Sequence, residues 1–231
     1  MPQLAQVLDA LETFHGPQTP RWPTDPWVFL IWWHCGYPPS EERCNLGWSS
    51  LSAAVAVRPA EVLAARAATL TRALRAGGMV PEKRAACLKD IARRVRDDFE
   101  GDLTAALARL PEAAARKTLR TFHGIGVPGA ERILLFSELA PVAAVPSNCP
   151  YVPVRIESGR EAARYDAVYA KAQRLIESQL PATFAARQRA YLLLKQHGQQ
   201  LCRPAKPKCG ECPVAGICAF VAKRPRRRAA R

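Results

Sequence analysis

The 231-residue chain carries 34 Lys or Arg against 20 Asp or Glu, a formal net charge of +14, and is 48% apolar. That apolar share excludes a disordered chain, and the length suits one large domain or two small ones. The longest apolar run, Trp27 to Trp33, is too short to span a bilayer and no signal-peptide pattern opens the chain, so a soluble, cytoplasmic protein with no membrane partner is expected, nucleoid-associated if bacterial. From Lys195 to Arg231 ten basic residues face one acid, Glu211, which places +9 of the surplus at the C-terminal end and predicts an acidic polymer such as nucleic acid as partner.

In chain order, the first helical pattern covers Leu4 to Phe14. Asp25-Pro26-Trp27 followed by an apolar run reads as a capped helix with Pro at its first position, ended by Gly36-Tyr37-Pro38-Pro39. Apolar residues recur at helical spacing from Pro59 to Arg75 and from Pro81 to Phe99, separated by Gly77-Gly78. Shorter helices are expected from Thr104 to Leu110 and from Pro111 to about Phe122. After a Gly-rich turn, Pro128 to Leu139 forms the next. Residues 140–156 read as a crossing loop, and helices follow over Arg160–Gln179 and Pro181–Gln196. With no alternating stretch of strand length, the fold class is all-α. Residues 220–231 read as a disordered basic tail.

Eight cysteines fall into two groups. Cys35, Cys44, Cys87 and Cys149 are scattered and read as small buried hydrophobes. Cys202, Cys209, Cys212 and Cys218 form Cys-x6-Cys-x2-Cys-x5-Cys, a spacing suited to a tight loop around a metal centre. Four thiolates hold either a tetrahedral zinc or a four-iron cluster. A zinc ribbon usually has two separated Cys-x2-Cys pairs. One pair with outliers at six and five fits the wider box of a cubane better, and disulfides are the remaining alternative.

This cysteine loop, with His197-Gly198 upstream and Lys206-Pro207-Lys208-Cys209 inside it, resembles the C-terminal [4Fe-4S] loop of the endonuclease III family of DNA glycosylases. Leu119 to Ile133, Leu-Arg-Thr-Phe-His-Gly-Ile-Gly-Val-Pro-Gly-Ala-Glu-Arg-Ile, is similar to that family's helix–hairpin–helix. The Trp27 helix is similar to its first barrel helix. The resemblance implies a six-helix barrel with the hairpin over 25–140, a cluster module from 1–24 with 141–219, and DNA in a cleft between them. It implies a [4Fe-4S] cofactor on Cys202, Cys209, Cys212 and Cys218. It also implies DNA contacts from His123, Gly124, Ile125, Gly126, Gly129, Lys206 and Lys208, and double-stranded DNA, damaged or bent, as partner of a monomer. In the hairpin, glycines let the backbone approach a phosphate and the second helix presents its N-terminal amides to the anion.

The family's chemistry is interrupted. Its imine-forming lysine, two residues after the second hairpin glycine, falls on Pro128, and its aspartate, eighteen residues later, falls on Pro146 in Val145-Pro146-Ser147-Asn148. Proline has neither a titratable group nor a donor, so it can neither form an imine nor stabilise an oxocarbenium ion. No replacement catalytic residue is identified. Glu131 and Glu138 read as solvated helix-surface groups, Lys117 as a phosphate contact and His34 as a satisfied buried imidazole. Tyr37 falls roughly where the family places a gap-filling glutamine, and the tryptophans read mainly as core with room for a stacking pocket. The expected protein is a repair-type DNA binder in which glycosylase and AP-lyase activity is lost or strongly altered. Two alternatives stand beside it: an active base-excision glycosylase using non-standard residues, and a cluster-dependent regulatory or architectural DNA binder.

Overall fold

The computed structural model describes residues 3–223. Among them are thirteen α-helices and no strand, so the fold is all-α; one isolated bridge pairs Tyr37 with Gly78. Residues 224–231, most of the expected basic tail, lie outside the described residues, while Ala219–Ala222 forms a short helix. No helix among the described residues is long and apolar enough to cross a membrane. The chain divides into two compact units, Pro20–Leu139, and Met1–Thr19 with Ala140–Arg231.

The contiguous unit is built around α2 (Pro26–His34). The Asp25 side chain accepts from the Val28 amide and Pro26 takes the first position, where no amide is lost. The second Asp25 oxygen accepts the Thr104 hydroxyl at 2.9 Å, tying the start of α2 to α7 (Leu103–Ala108). Apolar almost all round, α2 is packed by α3 (Glu41–Ala54), α6 (Pro81–Asp98), α7 and α9 (Val127–Phe136). Helix α3 was not expected. Its N-terminus is a Ser40 cap on the Arg43 amide with Glu41 and Glu42 in the first turn. The single helix expected over 59–75 is two, α4 (Pro59–Ala64) and α5 (Ala67–Leu74), because Ala65 turns extended (ψ 140°). Trp22, Trp27 and Trp32 are buried, with Trp27 Nε1 donating to Val57 O (3.1 Å) and Trp32 Nε1 to Asn45 Oδ1 (2.7 Å).

In the discontinuous unit, α1 (Leu4–His15) buries Leu4, Val7, Leu8 and Leu11, an i, i+3, i+4, i+7 stripe, and packs on α12 (Phe184–Gln200). Arg189 of α12 reaches Asp9 (2.8 Å) and Glu12 (2.7 Å) of α1. The loop expected over 140–156 is irregular only to Pro150; α10 (Tyr151–Ser158) then begins. Pro153 is tolerated as its third residue, where the amide has no intrahelical partner. Helices α11 (Tyr165–Gln179) and α13 (Ala219–Ala222) both pack on α10.

Candidate nucleic-acid interface and cysteine loop

Helix α8 (Glu112–Leu119) and α9 are joined by a hairpin, 120–126, whose shape is fixed from outside the loop. Arg94 on α6 donates to Thr121 O (2.8 Å) and Thr121 Oγ1 (2.6 Å) and lies 4.3 Å over the buried Phe122 ring. Gly124 has φ +71°, a left-handed turn that an L side chain would strain, while Gly126 caps α9 in extended conformation. The first-turn amides of Val127 and Gly129 have no carbonyl beneath them, and Pro128 has no amide. Pro128 is the second helical residue, one place later than expected, and the same reason makes it acceptable there. His123, Gly124 and Gly126 are exposed, and the Ile125 side chain is buried at 5% exposure.

Arg132 holds α9 in place. Its guanidinium lies 3.6 Å over Trp22 and 5.1 Å from Phe29, and it pairs with Glu41 at 3.4 Å. Part of the tryptophan cluster is thus the seat of a buried cation. Glu131 is also buried, facing Arg116 at 3.6 Å, which corrects its reading as a solvated surface group; Glu138 is exposed as expected.

Beside the hairpin a cavity of about 420 Å³ is lined by Trp33, His34, Tyr37, Val80, Lys83, Cys87, His123 and Gly124. Its size falls in the range of small-ligand sites. His34 is the satisfied buried group expected: Nδ1 meets Leu30 O at 2.8 Å, and burial lowers its pKa so the ring stays neutral. A Cβ at Gly124 would lie 3.5 Å from His34 Nε2 and 3.6 Å from Trp33 Nε1, which puts both ring nitrogens at the hairpin turn. Burial raises the Cys87 thiol to about 11, so it offers no thiolate at neutral pH. Lys83 is exposed at the rim, and no carboxylate lines the cavity. Tyr37 is 45% exposed, and its backbone is pinned by bonds from Tyr37 N to Gly77 O (2.9 Å) and Met79 N to Tyr37 O (3.1 Å); Met79 and Val80 beside it are also exposed.

In the other unit, Cys202, Cys209, Cys212 and Cys218 all line one small cavity with Ile156, Leu201, Val214 and Phe220. Arg155 of α10, only 5% exposed, organises the approach to it. It donates to Cys202 Sγ (3.7 Å), Arg203 O (2.9 Å) and Pro204 O (3.0 Å), and it is paired with Glu161. His197 on α12 accepts the Cys202 amide at its carbonyl (2.9 Å) and meets Cys212 Sγ with its Nε2 (3.6 Å). Gly198 follows because a Cβ there would lie 2.5 Å from Cys149 Cβ. Among the described residues no three His, Cys, Asp or Glu side chains are arranged to hold a single metal ion. Lys206 and Lys208 are exposed on the loop, Lys208 beside Glu211 at 3.6 Å.

No family profile and no curated protein sequence matches the chain. Solved structures do. A trapped endonuclease III–DNA covalent intermediate superposes with TM-score 0.72 at 17% identity, covering 96% of this chain and 99% of that one. The chain has the helix–hairpin–helix DNA glycosylase fold. A thermostable thymine-DNA glycosylase matches with TM-score 0.74 at 20% identity over 95% of this chain and 96% of that one. A 3-methyladenine DNA glycosylase of H. pylori (MagIII), bound to 1,N6-ethenoadenine, gives 0.56 at 17% over 86% and 95%. On this glycosylase fold the two proline positions are unlike each other. Pro128 is half-buried on the first turn of α9, whereas Pro146 is buried, and its carbonyl accepts the Cys149 amide at 3.0 Å. Arg84, Arg132, Arg155 and the pairing of His15 with His197 escaped the sequence reading. Their partners are backbone carbonyls, rings or residues far away in the chain, so no local motif marks them.

Proposed function

We propose that the protein binds DNA through the 120–126 hairpin and receives one extrahelical base in the adjoining cavity, without the imine chemistry that a lysine at 128 would supply. The observation that carries this reading is that hairpin and cavity share His123 and Gly124 within one compact unit. A strand whose phosphate is held by the amides at the start of α9 presents its neighbouring nucleotide to Trp33 and Tyr37. Aromatic walls, a lysine at the rim and no carboxylate suit a base with its phosphate.

Two duplexes test it, one fully paired and one with a single extrahelical 2-aminopurine. The expected result is tighter binding of the second, with its fluorescence quenched by stacking. Trp33→Ala and the exposed-site variant Tyr37→Ala should each reduce the preference about tenfold, since stacking contributes about 1–3 kcal/mol per base. Equal affinity for both duplexes would overturn the base-cavity reading, and affinity for neither would overturn DNA binding itself.

The cysteine loop supports a [4Fe-4S] cluster. Four thiols line one space, and its lining holds Arg155 and Lys208 but no carboxylate, which suits an anionic thiolate-bound group. When bound, such a group supplies a rigid brace and a one-electron couple. Protein purified anaerobically should contain about four iron and four sulfide per chain. Cys209→Ser should lower that content sharply, and stoichiometric zinc without iron would contradict the assignment.

A further inference from the structure

The cysteine loop is joined to the opposite end of the sequence by two imidazoles. His15 is the last residue of α1 and His197 lies on α12, 182 positions later. Their rings meet edge-on with centroids 5.5 Å apart, and His15 Nε2 lies 3.2 Å from His197 Nδ1. The other nitrogen of His197 faces Cys212 Sγ at 3.6 Å, and the ring is 1% exposed. The Gln200 side chain, one turn further along α12, also hydrogen-bonds His15. The His197 carbonyl meanwhile accepts the Cys202 amide. One residue therefore contacts two of the four cysteines, one through its backbone and the other through its ring.

We propose that His197 is a positioning residue for the cluster, donating an N–H···S hydrogen bond to Cys212, and that His15 fixes the tautomer that makes this possible. The inference rests on the cluster assignment above. A metal-bound thiolate has no proton to give, so the hydrogen between Cys212 and His197 must sit on Nε2. In the neutral ring Nδ1 is then an acceptor, and the hydrogen it receives comes from His15 Nε2. The order His15, His197, Cys212 is a directed chain of donors ending on sulfur. Hydrogen bonds to cluster sulfur favour the more negative, reduced state and raise the reduction potential. In this arrangement the N-terminal helix sets how readily the cluster takes an electron.

The test uses the full chain as purified and the variants His197→Leu, His197→Gln, His15→Leu and His15→Gln. Iron content is measured together with the midpoint potential at a protein-film electrode. In His197→Leu the cluster should be retained while the ratio of reduced to oxidised cluster at a fixed potential falls about tenfold, equivalent to about 59 mV for one electron. His197→Gln, which keeps an amide N–H, should recover part of the shift. His15→Leu should move the potential in the same direction by less, and His15→Gln should lie between it and the unmodified chain. An unchanged potential in both leucine variants with full iron content would overturn the relay alone. Iron loss in both His197 variants would overturn it too, by making His197 a ligand or a purely structural group. An unmodified chain without iron would overturn the cluster assignment and the relay together.

Discussion

Arg84→Met is expected to destabilise the protein by about 3–5 kcal/mol, because four backbone carbonyls lose their donor at once. Arg84 is 5% exposed, and its guanidinium hydrogen-bonds to backbone rather than to a carboxylate. Nε donates to Met79 O (2.9 Å), Nη1 to Cys35 O (2.6 Å), and Nη2 to Leu74 O (2.7 Å) and Gly78 O (2.9 Å). Two of these carbonyls close helices, Cys35 after α2 and Leu74 at the end of α5, where the helix dipoles are negative. Methionine fills similar volume but leaves four carbonyls without this donor, each costing on the order of 1 kcal/mol or more. Arg84→Lys should recover only part of the loss, because a compact ammonium cannot span four acceptors in a fixed fork. Urea titration followed by tryptophan fluorescence measures both. A loss below about 1 kcal/mol would show that the loops satisfy themselves without the arginine. The same carbonyls shape the 35–39 and 74–80 segments that carry Tyr37, and Arg84 itself lines the cavity, so the variant should also blunt discrimination between the two duplexes.

The second large effect is chemical. With an abasic duplex and borohydride, the unmodified chain should give no covalent adduct above background, because the side chain at position 128 has no amine to condense with the sugar aldehyde. Pro128→Lys should fold normally, since the second residue of a helix needs no amide partner and α9 is already capped by Gly126. It should trap at least tenfold more than the parent, yet weakly, because an amine misplaced by about 1 Å can cost on the order of a hundredfold. Adding Pro146→Asp carries a separate cost: position 146 is buried, and a carboxylate there must find a partner or remain protonated. Efficient trapping of the unmodified chain would refute the lost-amine reading. The amines to replace first are then Lys83 at the cavity rim and Lys117 on α8, both exposed.

What could be read in advance follows from how locally each feature is encoded. The Asp25–Pro26 cap, the glycines of the hairpin and the cysteine spacing are short-range signals, and the helix start, the turn and the shared cysteine cavity all lie where those residues put them. Helix α3 has a legible start in Ser40-Glu41-Glu42, but a mixed-polarity helix around Cys44 and Gly47 lacks the clear apolar stripe that would mark it in the sequence. Helix α10 was hidden by Pro153 and two valines, residues that argue against a helix interior but are harmless in a first turn. The buried cations were out of reach. Arg132 is seated on rings more than a hundred positions away at Trp22 and Phe29, and Arg84 is bound by carbonyls that every residue type possesses.

The order in which the chain leaves the ribosome gives the discontinuous unit a further meaning. Helix α1 emerges long before its partner α12: the Leu4 amide waits for Gln179 (2.8 Å), 175 positions later, and His15 waits for His197. At ordinary synthesis rates of about 5–20 residues per second, that interval is roughly 9–35 seconds. The contiguous unit Pro20–Leu139 is complete well before then and is expected to fold in the meantime. For that interval the apolar stripe Leu4, Val7, Leu8 and Leu11 of a newborn chain stays uncovered. Closure of the second unit therefore comes after that of the contiguous one, and is complete only once the cysteine loop has also been made.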